Sequence, residues 1–87
     1  MTRDHVLAWL DTRRPAPPDA LRARLRGAVH DTPFGLSAHL AQLGHELLDR
    51  VAARPAGGRE LALDLLAADA FATYACEAHA EKEDRTP

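Results

Sequence analysis

LSAHLAQLGHELLDRVAARPAGGRELALDLLAADAFATYACEAHAEK, residues 36–82, decides the fold class. Leu36, Leu40, Leu43, Leu47 and Val51 recur at 4, 3, 4, 4 spacing. At 100° per residue that draws an apolar stripe about 80° wide along one side of a helix, and Leu48 widens it. Gln42, His45, Glu46 and Asp49 take the opposite side, where Glu46 and Arg50 stand at i, i+4 in the order that favours a solvated ion pair. Arg54-Pro55-Ala56-Gly57-Gly58 then stops the helix and turns the chain. From about Arg59 to Lys82 neither Gly nor Pro intervenes, which predicts a second long helix, antiparallel to the first because the connector is short. No stretch alternates like a strand. The expected fold is all-α: a small antiparallel bundle of three to four helices built around a long C-terminal helical hairpin.

The last of these helices has apolar groups around most of its circumference. Leu61, Leu65, Ala68, Ala72 and Ala75 make one face, while Leu63, Ala67, Ala70 and Tyr74 cover the far side, with Phe71 and Ala78 between them. Such a helix is either wrapped by its own chain or meets another, and its alanines permit close backbone approach. With one face given to the preceding helix, Leu63, Leu66, Ala70, Phe71 and Tyr74 become the candidate partner-binding residues.

Upstream, two shorter helices are expected. Thr2 can cap one that carries Val6, Leu7, Trp9 and Leu10. Residues 13–18, with Pro15, Pro17 and Pro18, form a stiff connector. Pro18 and Asp19 suit the first turn of the next helix, in which Leu21, Leu25 and Val29 turn inward and the arginines outward. Thr32 before Pro33 reads as the N-cap and first position of the third helix, with Gly35 a weak point. All 87 residues are expected to form one domain, since a chain this short cannot divide its core.

Net charge is −2, unevenly spread. Residues 1–26 hold six arginines against three aspartates, whereas ten acids face five cations from Gly27 onward. The two parts attract each other, most simply by docking within one chain. Ten arginines to one lysine, with eighteen alanines, point to the codon bias of a GC-rich genome rather than to selection for guanidinium chemistry. A single cysteine forms no internal disulfide, and His5–Leu10 is too short for a signal-peptide core, so a reducing cytoplasm is the expected compartment. Leu61–Ala80 has the length of a membrane span, but a central Asp costs about 2.5–3.5 kcal/mol in hydrocarbon, and Asp64, Asp69, Glu77 and His79 all fall inside it.

Chemistry-bearing residues gather in the last helix but point in different directions. Cys76 and His79, at i, i+3, can share a zinc ion if two further ligands join them; no second pair has comparable spacing, and Cys76 otherwise reads as a small buried apolar group. Asp69, Thr73 and Glu77 form a polar ridge facing solvent. Asp64, beside Phe71 on the wheel, suits capping or docking. Ser37 is the sole serine and no oxyanion loop can be named, so no catalytic residues and no cofactor are assigned. Arg13, Arg14, Arg22, Arg24 and Arg26 are the residues that nucleic-acid binding would use, but Arg24 points away from Arg22 and Arg26, and no aromatics are interleaved for stacking. The expectation is a small helical interaction module or accessory subunit that self-associates and is not itself an enzyme. Arginine-mediated nucleic-acid binding and metal binding at Cys76 and His79 are the alternatives.

Overall fold

The computed structural model of the protein describes residues 1–54 and 58–84. Four helices follow in order, α1 (Arg3–Leu10), α2 (Asp19–Ala28), α3 (Leu36–Ala53) and α4 (Arg59–Asp84), and no strand occurs among the described residues. The fold is the expected all-α bundle. The expected turn at residues 55–57 lies outside the described residues.

Helices α3 and α4 form its frame. Arg54, just past the end of α3, binds Asp64 near the start of α4, while Gly44, midway along α3, lies against Ala68, Phe71 and Ala72. Residue numbers fall along one helix as they rise along the other, so the pair is antiparallel. A Cβ on Gly44 would stand 3.1 Å from the Ala68 carbonyl oxygen and 3.3 Å from Phe71 Cβ. Both distances are tighter than ordinary van der Waals contact, so a side chain here would press the helices apart by a few tenths of an ångström. Beside it Phe71 is wholly buried, which stabilises the fold by about 1.5–3 kcal/mol relative to an exposed ring. From the α3 stripe Leu40, Leu43 and Leu47 enter the same core.

The N-terminal half wraps one side of this hairpin. Thr2 caps α1 as expected, its Oγ1 accepting from the His5 amide at 3.3 Å. Helix α1 docks fully, burying Val6, Leu7 and Leu10. On its outer side Trp9 donates its indole N–H to Glu81 of α4 at 2.9 Å and meets Tyr74 edge-on, ring centroids 6.1 Å apart. Pro18 serves as the N-cap of α2 rather than its first residue, and Leu25 and Val29 enter the core.

Helix α3 starts later than the sequence suggests. Thr32 is buried and spends its hydroxyl on a local turn, accepting from the Phe34 amide at 3.1 Å, while its own amide donates to the Met1 carbonyl at 3.0 Å. Gly35 is therefore the N-cap, and the helix begins at Leu36. Among the described residues no helix is long and apolar enough to cross a membrane.

Candidate association surface

Helix α4 meets its own chain on the side expected to be free. Phe71 is 0% exposed, and Ala70 and Tyr74 pack against the core, Tyr74 under Trp9. Leu63 is half-buried. The expected partner set is thus corrected: Phe71 is a core residue, Leu63, Ala70 and Tyr74 are mostly covered from within, and only Leu66 of the five is open. The reason is that α1 and α2 lie on the Tyr74 side, an arrangement set by contacts distant in sequence. Burial raises the Tyr74 phenol above its ordinary range and Glu77 adds to this, while Arg13 opposes it.

What stays open is the opposite side. Leu48 of α3 and Leu65 and Leu66 of α4 are 49%, 50% and 56% exposed. They border a shallow groove of about 910 Å³ between the two helices, floored by small residues that include Gly44, Ala68 and Ala72. His45, Asp69 and Cys76 supply its polar edge. His45 lies 3.6 Å from Asp49, one turn along α3. For Leu48 the doublet explains the exposure: neighbours on a helix stand about 100° apart, so Leu47 fills the core with Leu48 turned out, whereas Leu65 and Leu66 are both open.

The arginines are spent on internal partners. Arg13 stacks its guanidinium 3.9 Å above the Trp9 ring and reaches Glu81 at 3.1 Å and Glu77 at 3.8 Å. Arg22 and Arg26 share Asp11 Oδ1, at 3.1 and 2.7 Å, and Arg14 donates to the carbonyls of Asp11 and Arg13. Arg24 points elsewhere, as its position on the wheel implies, and donates to Asp64 at 2.6 Å. Arg13 and Arg24 thus dock the basic N-terminal segment on the acidic C-terminal one within the chain, while Arg14, Arg22 and Arg26 find their partners inside the N-terminal segment itself. The Asp11 carboxyl is held below its ordinary range chiefly by the hydrogen bond from Arg22; slight desolvation opposes this, and Arg26 adds to it. Arg14, Arg22 and Arg26 also line, with Pro17 and Tyr74, a cavity of about 380 Å³.

Asp64 docks as its place beside Phe71 suggests. It is 4% exposed, its second oxygen lies 3.2 Å from Arg54, and so it ties α2 and the end of α3 to α4. Cys76 is exposed at the groove rather than buried, a second correction, and exposed His79 pairs with Glu83 at 3.0 Å. Among the described residues no three His, Cys, Asp or Glu side chains lie together as a metal site. Asp69 and Thr73 face solvent as expected, whereas Glu77 is partly covered by Arg13.

Two residues of consequence were not singled out from the sequence. Gly44 sits inside an otherwise regular leucine stripe, where a mid-helix glycine signals close packing. His39 precedes Leu40 on the edge of that stripe, yet it is 1% exposed, and burial holds its imidazole below the usual histidine range. No family model, curated protein or solved structure matches the chain.

Proposed function

We propose that this protein is a small helical association module, without catalytic activity of its own, that pairs with a second copy of itself through the open α3–α4 face. The observation that carries the reading is the apolar groove with Leu48, Leu65 and Leu66 half-exposed at its borders. Scattered single leucines are ordinary on a surface, but a continuous apolar groove with protruding neighbours signals a contact site.

A second copy fits this face because knobs and hollow occupy the same patch. A two-fold interface needs a self-complementary surface, where the leucines of one protomer enter the alanine- and glycine-lined groove of its partner and the reverse. Size agrees as well. The 26 residues of α4 extend about 39 Å and the 18 of α3 about 27 Å, and at about 10 Å width each they give a face on the order of 650 Å², close to one partner's share of a small standard interface. A net charge of −2 adds little repulsion between copies.

Size-exclusion chromatography with light scattering, run from micromolar to near-millimolar protein, tests the reading. The wild-type chain is expected to run as a dimer, and Leu66→Glu as a monomer that keeps its helix content, since Leu66 lies outside the core, and whose melting temperature no longer rises with concentration as the wild type's does. A wild-type chain that stays monomeric throughout the range would sink the proposal.

A further inference from the structure

We propose that His39 is an acid-sensitive latch: adding a proton at Nε2 expels its ring from the core, displaces His30 and frees the segment that clasps α1. His39 Nε2 is buried and no protein donor or acceptor reaches it. In the neutral ring that nitrogen is at worst an unsatisfied dipole. In the imidazolium it is an N–H donor bearing charge, and burying an unpaired charge costs far more.

The wall over His39 is the ring of His30, edge-to-face with centroids 4.8 Å apart. His30 Nδ1 stands 2.8 Å from the Asp31 carbonyl oxygen, which can only accept, so Nδ1 carries a proton and the ring is held in place. Residues 29–32 are also the stretch that the N-terminus grips. Arg3 donates its amide to Asp31 at 2.6 Å and Nε to the Val29 carbonyl at 3.0 Å, and the Thr32 amide donates to the Met1 carbonyl at 3.0 Å. The lid over His39 and the anchor of α1 are one segment. A shift of His30 therefore strains the clasp directly.

Burial is the largest influence on His39 and opposes its protonation; of the charged groups, His30 from this segment and the Met1 amine from the N-terminal side add to that, and Glu46 from α3 itself favours the proton. The folded ring thus titrates below its ordinary value of 6.5. Because the unfolded or opened chain binds this proton more readily, stability is complete above pH 6.5 and is lost as pH falls, by up to about tenfold in the equilibrium constant per pH unit. Histidines also stand in the exposed pairs His45–Asp49 and His79–Glu83, and the comparison with a His39 variant isolates the latch from them.

Native-state amide exchange between about pH 7.5 and 5, with an NMR titration of the histidine rings, tests this. In the wild type, protection at Val6, Leu10 and Asp11 should drop up to about tenfold per pH unit once below the ordinary histidine value, while Leu43 and Leu47 fall less. In His39→Phe the α1 protection should stay flat. A wild-type profile without slope, the same slope in both proteins, an equal loss across α1 and α3, or a His39 ring titrating at or above 6.5 overturns the proposal. Should His39→Phe not fold, the wild type decides alone, since the loss of α1 protection must then begin near 6.5 and level off where the His39 ring itself titrates.

Discussion

Removing the Asp64 carboxylate should cost more than any other single polar change in this molecule. Oδ1 accepts from Arg24 Nε at 2.6 Å and Oδ2 faces Arg54 Nη1 at 3.2 Å, in a side chain only 6% exposed. The Arg24 guanidinium is 26% exposed, so its bond is largely screened from water and contributes about 2 kcal/mol as a charge-assisted hydrogen bond. Arg54 is 41% exposed and its ion pair contributes about 0.2–1 kcal/mol after solvent screening. Asp64→Ala is therefore expected to destabilise by about 2–3 kcal/mol, a large share of the roughly 5–10 kcal/mol available to a chain of this length. That corresponds to a melting temperature lower by about 10–20 °C. Thermal melts and urea titrations followed by circular dichroism, on Asp64→Ala, Arg24→Ala and the double variant, give both the total and the coupling. The coupling should be about 1–2 kcal/mol, because either single change already removes the same bond. An Asp64→Ala protein melting within about 3 °C of wild type, or strictly additive variants, would show that the ion pairs do not hold the helices.

Gly44→Ala gains about 1 kcal/mol of helix propensity but sets a methyl against the Ala68 backbone, which cannot swing away, and overpacking of this kind costs about 1–3 kcal/mol; net destabilisation is expected in urea, and a more stable variant would contradict the close approach. Asp11 should titrate below 3.8 by NMR, with Arg22→Ala and Arg26→Ala each moving it back towards that value. Its contribution is then present above 3.8 and lost as pH falls through the lower folded value. For Tyr74, the only tyrosine, phenolate absorbance should appear above pH 10 in the folded protein and near 10 in denaturant. The neutral phenol thus contributes stability below 10 that is lost as pH rises through its folded value, and Arg13→Ala should move that value higher still.

The helical hairpin was readable because its signals are local. Period, glycine and proline placement, and the spacing of Leu40, Leu43 and Leu47 need only a few residues each, and the core uses those leucines as the wheel implies. The start of α3 was misplaced because Thr32 has two uses for its hydroxyl, a cap or a turn, and the choice is made by the Met1 and Arg3 contacts with residues 29–32. Likewise the girth of α4 was visible, but which side its own chain covers depends on where α1 and α2 dock, a matter of Trp9 meeting Tyr74 and Glu81 across more than sixty positions.

One local clue does bear on that choice. Along α4 the buried line reads Asp64, Ala67, Ala68, Phe71, Ala75 and Ala78, so a carboxylate holds a core position while the leucines next to it, Leu65 and Leu66, point out. On apolar burial alone the helix would rotate to exchange them, since each leucine hidden is worth about 1.5–3 kcal/mol. That rotation would carry Asp64 off Arg24 and Arg54 and pull Phe71 from the crossing at Gly44, so the ion pairs and the aromatic ring fix the rotational register against the leucines' preference. The open α3–α4 face is exposed because Asp64 and Phe71 are not, and a polar residue in the core is what leaves two leucines outside it.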